Sequence, residues 1–136
     1  MYRKTLVPMA LDHEISPATL AIAQRLTADE GEIIALHVFE IPPGTGSIDL
    51  DEKVTKEGID QAKTRLHEKV AGKNGIKAEL IKGHTYRTII QYANDNGIEC
   101  IVMGSHKPGL SDYLLGSTAA RVVRHAPCAV HVHRSS

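Results

Sequence analysis

The sequence predicts an α/β fold, a doubly wound five-stranded parallel sheet with helices on both faces. Three observations carry that prediction. Short runs rich in Val, Ile and Leu alternate strictly with stretches of helical periodicity, the pattern of consecutive βαβ units. The second run, Ile33-Ile34-Ala35-Leu36-His37-Val38-Phe39, is almost continuously apolar, as expected of a strand covered on both faces. The 136 residues are 42% hydrophobic and 24% charged, which suits one domain spanning residues 1–136. A chain of this length buries roughly 68% of its unfolded surface without metal or disulfide staples.

Each element has a local reason. Lys4 to Ala10 reads as the first strand. Pro17 opens a helix after Ser16, a good N-cap residue. That helix runs through Leu20, Ile22, Ala23 and Leu26, with Gly31 as its expected stop. After the second strand, Pro42-Pro43-Gly44-Thr45-Gly46-Ser47 must be loop, and it is the segment expected to be most mobile. A long helix follows from about Asp51 to Ala71, its apolar face built from Ile59, Ala62, Leu66 and Val70. Asp51 and Glu52 stand in its first turn, where carboxylates favour the helix dipole.

Ile76 to Ile81 is the third strand. Tyr86, Ile89, Ile90 and Ala93 share one face of the next helix, which Asn96-Gly97 stops. Ile98 to Met103 is the fourth strand, ending at Gly104 and followed by a polar loop from Ser105 to about Asp112. Leu115, Ala119, Val122, Val123 and Ala126 form the apolar stripe of the last helix. Ala129 to Val132 is the final strand, expected at a sheet edge, where pairing across a two-fold axis is invited.

Composition removes several function classes. Sixteen Lys and Arg balance sixteen Asp and Glu, which argues against bulk electrostatic capture of nucleic acid or an anionic membrane. A small local anion site is compatible with that balance. No apolar run approaches the roughly 18 residues of a membrane span, and the opening Met1-Tyr2-Arg3-Lys4 does not read as a signal peptide. Cys100 and Cys128 lie in apolar runs without CxxC spacing and read as buried, reduced thiols of a cytoplasmic protein.

Sheets of this kind bind ligands beyond the carboxyl ends of their strands, at the topological switch point. The segments that matter are Pro8 to Asp12, Val38 to Ile41, Lys82 to Thr85, and Gly104 onward. The last is the most informative. A strand ends at Gly104, a small-residue loop follows, and Gly116 opens a helix that begins Ser117-Thr118. Glycines let backbone approach an anion closely, and free N–H groups at a helix start point towards it. Ser117 and Thr118 add hydroxyl donors, and Lys107 adds a positive charge. The alternative is a surface loop with an N-capped helix. The spacing is neither a Walker A loop nor a GxGxxG fingerprint, so P-loop hydrolysis and nicotinamide chemistry are unsupported.

Residues 104–132 resemble the universal stress protein family, especially its short-loop F- and G-type branch. The resemblance rests on Ser105-His106-Lys107-Pro108, on Tyr113-Leu114-Leu115-Gly116-Ser117-Thr118-Ala119-Ala120, and on Val122-Val123-Arg124-His125-Ala126. Tyr2-Arg3-Lys4-Thr5-Leu6-Val7-Pro8 and Leu36-His37-Val38 extend it over essentially the whole chain. It implies a sheet of the adenine nucleotide alpha hydrolase-like type, often a homodimer, and in many members bound ATP. The nucleotide-binding positions it implies here are Pro8, Ala10, Val38, Met103, Gly104, His106, Lys107, Gly109, Gly116, Ser117 and Thr118. Pro8 and Val38 would flank adenine, and the Gly104 and Gly116 segments would hold the phosphates. Mg²⁺ would bridge those phosphates, because one lysine does not neutralise a triphosphate. ADP and AMP fit the same positions.

The chain departs from the family pattern in two places. Lys107 stands where a second glycine is expected, in a loop one residue shorter, with Gly109 available for the close-approach role. Ala10 stands where the family's Val-Pro-x-Asp strand carries an aspartate that contacts the nucleoside. A lost charged hydrogen bond costs roughly 1.5–3 kcal/mol, so weaker binding is expected rather than none. Asp12 and Glu40 are the alternative carboxylates.

The other polar groups have plainer readings. His131 and His133 share one face of the last strand, as an exposed or dimer surface rather than a metal pair. His84 is expected to cap the helix that follows it, and Arg124 and His125 suit a helix C-terminus. His13 and Glu14 form a loop pair without a nucleophile.

The leading expectation is a cytoplasmic stress-response sensor or regulator that binds ATP and hydrolyses it slowly at most. One rival is a nucleotide-free dimeric interaction module of the same fold, regulated by Ser/Thr phosphorylation. A second is an enzyme of the same doubly wound class, AMP-forming or phosphate-transferring, with His106, Lys107 and His84 as its candidates.

Overall fold

The computed structural model describes residues 1–11, 17–40, 48–73, 75–105 and 115–134. Strands and helices alternate in the order β1 (Tyr2–Pro8), α1 (Pro17–Leu26), β2 (Thr27–Phe39), α2 (Ile48–Val70), β3 (Ile76–Lys82), α3 (Thr85–Asp95), β4 (Cys100–Gly104), α4 (Ser117–His125) and β5 (Ala129–His133). The sheet order is β3-β2-β1-β4-β5, and every neighbouring pair is parallel. The chain therefore steps outward from β1 to β3, returns to the other side of β1 with β4, and steps outward again to β5. The predicted doubly wound α/β sheet and the edge position of β5 are both observed.

The period of two in the strands divides the core into two layers. Val7, Ile33, Ala35, Cys100 and Val102 face one side, where they pack with Leu20 and Ala23 of α1 and Ala62, Leu66 and Val70 of α2. Leu6, Ile34, Leu36, Val38, Ile101 and Met103 face the other, against Ile89 and Ala93 of α3 and Ala119 and Val122 of α4. Both faces are covered, which explains why residues 33–39 of β2 and all of β4 read as almost continuous apolar runs. The long α2 holds its place through Leu66, which is 1% exposed.

Two local expectations are corrected. Gly31 does not stop α1; the helix ends at Leu26, and Gly31 lies inside β2. The register between β1 and β2 jumps there, from Tyr2 opposite Thr27 to Lys4 opposite Glu32. A Cβ on Gly31 would sit 2.7 Å from Thr27 Cγ2 and 2.9 Å from the Ala28 carbonyl, so this irregular stretch needs a residue without a side chain. Val123 does not belong to the buried stripe of α4. It is 47% exposed beside the fully buried Val122, because one residue along a helix turns a side chain through about 100°. The expected glycine stop after α3 is correct: Gly97 takes φ 64°, in the left-handed region that glycine enters without strain.

One buried polar contact ties α1 to the sheet. Thr27 Oγ1 lies 2.7 Å from Thr5 Oγ1 and 2.6 Å from the Ala23 carbonyl. A hydroxyl has one proton, so Thr27 donates to the carbonyl and accepts from Thr5.

Candidate functional site

The strand order places a switch point between β1 and β4, which leave α-helical connections on opposite faces. At that point the carboxyl end of β1 delivers Pro8 and Ala10, and the end of β4 delivers Met103 and Gly104. Pro8 pairs with Leu36 of β2, so Val38 lies two residues beyond it on the neighbouring strand. The side chains of Val38 and Met103 are both buried in the layer below α3 and α4. Ala10 is exposed.

A chain of backbone hydrogen bonds joins β4, β5 and α4 at the same end. The Ser105 N–H donates to the His133 carbonyl at 2.9 Å, and the Gly116 N–H donates to the Ser105 carbonyl at 3.2 Å. The start of α4 is therefore fixed to the exit of β4. Gly116 is the N-cap residue and offers no side chain to cap the first turn. Ser117 is exposed and Thr118 half-buried. Among the described residues, nothing lies within 4 Å of a Cβ placed on Gly104. The donor set is backbone N–H, helix dipole and hydroxyl, which suits an anion. The remaining expected loop residues, His106, Lys107 and Gly109, lie outside the described residues, as do Asp12, His13, Glu14 and the Pro42–Ser47 segment.

Two contacts organise the exit of β1, and neither has a sequence signature. His37 is half-buried in an otherwise apolar run, and its Nδ1 lies 2.8 Å from the Met9 carbonyl. Arg65, from α2, donates through Nη2 to the Leu11 carbonyl at 2.6 Å. Both hold main-chain carbonyls immediately before and after Ala10. The spacing of either pair, 28 and 54 residues apart, is set by topology and not by local pattern.

Glu40 acts on α3. Its Oε1 accepts from the Thr85 N–H at 2.9 Å and from the Thr85 hydroxyl at 2.5 Å. These bonds, with the field of His84, hold the Glu40 carboxyl below its ordinary range against a small opposing effect of burial. His84 occupies the N-cap position but makes no side-chain cap bond, which corrects the expectation that it caps α3. The carboxylate does so instead, from the end of a strand that precedes the helix by a whole βα unit.

The two cysteines, Cys100 and Cys128, form no disulfide. Both are free, and burial pushes both up in pKa. Cys100 packs in the α1/α2 layer and Cys128 against the α3/α4 layer, and Cys128 adds to the rise at Cys100. Among the described residues there is no cluster of three His, Cys, Asp or Glu side chains suited to a metal. No helix among them is long and apolar enough to cross a membrane.

Comparison with known proteins agrees over nearly the full length. The model of the Universal stress protein family matches residues 1–134. Universal stress protein G of Salmonella typhimurium is 33% identical over 146 residues, covering 98% of this chain and all of that protein. The Shigella flexneri protein of the same name is 29% identical over 145 residues, again with 98% and 100% covered. Among solved structures, universal stress protein UspA from Lactobacillus plantarum superposes with a TM-score of 0.72 at 26% identity, covering 98% of each chain. More distant neighbours of the same fold include a universal stress protein in complex with cAMP, at TM-score 0.62 and 20% identity, covering 99% of this chain and 98% of that one. Another is a universal stress protein from Archaeoglobus fulgidus in complex with dAMP, at TM-score 0.58 and 19% identity, covering 96% and 97%.

Proposed function

The chain belongs to the universal stress protein family, and on that premise we propose that it is a cytoplasmic nucleotide sensor whose crevice between β1 and β4 binds an adenine nucleotide, ATP in the first instance. The observation that carries the reading is the pair of backbone bonds through Ser105, which fixes the start of α4, with glycine at its N-cap, beside the Gly104 exit of β4. Phosphates would lie over Gly104 and the Gly116-Ser117-Thr118 helix start, where N–H donors and the helix dipole offset their charge. Adenine would lie near Pro8 and Val38, with Met103 beneath it. Two relatives of this fold bound to adenine monophosphates support the base and ribose half of the reading. Mg²⁺ would accompany a triphosphate. His106, Lys107 and Gly109 are assigned to the same phosphate segment by their place in the sequence. The proposed assembly is a homodimer joined through the edge strand β5, whose exposed His131 faces outward.

Purification without added nucleotide, followed by denaturation and mass analysis of the released material, tests the reading. ATP or ADP near one per chain supports it. If none is released, MgATP is titrated by calorimetry, and no heat up to millimolar nucleotide overturns it. That outcome favours the second reading, a nucleotide-free dimeric interaction module regulated by Ser/Thr phosphorylation. The exposed, uncharged Ala10 at the exit of β1 is the observation on its side.

A further inference from the structure

A second group of polar side chains lies between α3 and α4. Tyr86, half-buried near the start of α3, is its centre. The Arg121 guanidinium lies 5.2 Å from the ring centroid, and the Arg87 guanidinium 5.8 Å from it. Arg87 Nε also donates to Tyr86 Oη at 3.3 Å. His125 stacks with the ring at 6.2 Å and 29°, and His84 meets it edge-on at 4.9 Å and 86°. Four nitrogen-bearing side chains, all exposed, therefore surround one phenol.

Among the described residues, the two arginines of the group lack counter-charges. Neither Arg87 nor Arg121 pairs with a carboxylate among the described residues. α4 contains no acidic residue, and the one acid of α3, Asp95, stands at its far end and accepts from Gln91 at 2.8 Å. Glu40, the carboxylate whose field reaches His84, is engaged by Thr85. In a chain whose Lys and Arg equal its Asp and Glu, this is a local excess of positive charge.

We propose that the Tyr86 cluster is an anion site that binds a phosphate group, with Arg87, Arg121 and the Tyr86 hydroxyl as donors. Guanidinium forks match phosphate oxygens in a bidentate way, and a guanidinium resting on an aromatic ring loses less freedom when it binds. Tyr86 Oη accepts from Arg87 and keeps its own proton to donate. His84 and His125 supply further ring N–H groups at the rim. The phenol of Tyr86 is itself lowered in pKa, first by the Arg87 hydrogen bond and then by the charges of Arg87 and Arg121, which reports the same positive field. A base-stacking platform for single-stranded nucleic acid is the weaker fit, because Arg121 and His125 already occupy positions over the ring that a base would need.

The test is an amide chemical-shift titration of the ¹⁵N-labelled protein. Inorganic pyrophosphate is the first probe, and a phosphoserine peptide with its unphosphorylated counterpart is the second. The expected result is saturable movement of residues 84–87 and 121–125, at least tenfold weaker in the Arg87→Gln/Arg121→Gln double variant. A milder loss is expected for Tyr86→Phe, and partial retention for the double lysine variant. Stronger binding of the phosphopeptide than of pyrophosphate identifies a protein side chain as the phosphate's source, and the reverse identifies a free phosphate compound. Movement confined to the Gly104 and Gly116–Thr118 amides overturns the proposal while leaving the nucleotide crevice intact. Movement at the cluster that survives in the glutamine variant, or that an RNA oligonucleotide produces and pyrophosphate does not, also overturns it.

Discussion

The N–H of Gly116 donates to the carbonyl of Ser105 at 3.2 Å, so the first residue before α4 is bound to the first residue after β4. The start of that helix is set by a backbone contact at the end of the sheet, and this makes Ser117 a well-defined position to probe.

Ser117 is exposed at the first position of α4, so a large side chain there fills space in front of the helix N-terminus. Ser117→Trp is expected to remove MgATP binding in calorimetry while leaving the melting temperature close to that of the parent. Unchanged affinity would show that the phosphates bind elsewhere.

Ala10 is exposed beside the Met9 and Leu11 carbonyls that His37 and Arg65 hold. A carboxylate at this position needs no burial and can accept from a ribose hydroxyl. Ala10→Asp is expected to tighten adenine-nucleotide binding by roughly 10- to 150-fold, the equivalent of about 1.5–3 kcal/mol for a charged hydrogen bond. An affinity that stays the same or falls would place the ribose away from the end of β1.

Glu40 couples the end of β2 to α3. Its carboxyl pKa is lowered in the folded protein, so its stabilising effect is complete above the ordinary value of 4.5 and disappears as pH falls through the lowered value. A carboxylate at an exposed helix N-terminus contributes about 0.3–1 kcal/mol, less at high salt. Glu40→Gln should therefore melt roughly 1–3 °C below the parent at pH 7. The two curves should converge in acid, once the pH has fallen below the lowered value. A difference that persists in acid would show that the carboxylate charge is not the cause.

Thr5 is fully buried and depends on Thr27 for its hydroxyl partner. Thr27→Val leaves that hydroxyl without an acceptor and should cost about 1–3 kcal/mol in urea unfolding. Adding Thr5→Val should cost less than the sum of the two single changes, because the second removes the orphaned group. Full additivity would mean that the two hydroxyls are not coupled.

Strand and helix order and the class of sheet are legible in the amino-acid sequence alone. Those features are local: unbroken apolar runs such as 33–39, helical spacing such as Ala62, Leu66 and Val70, and the Asn96-Gly97 stop all declare themselves within a few residues. The glycines at 104 and 116 were legible for the same reason. Gly31 misled because a glycine just past a helical stretch has the same appearance as one required by a register jump between two strands. Only the tertiary structure decided which strands are neighbours, that Glu40 and not His84 caps α3, that His37 and Arg65 hold the carbonyls around Ala10, and that Arg121 and His125 meet Tyr86. These contacts join residues that are 28 to 54 apart, or lie on separate helices, and no short-range periodicity encodes them. They follow from the order in which right-handed crossovers lay the strands down, and that order fixes which side chains share a surface.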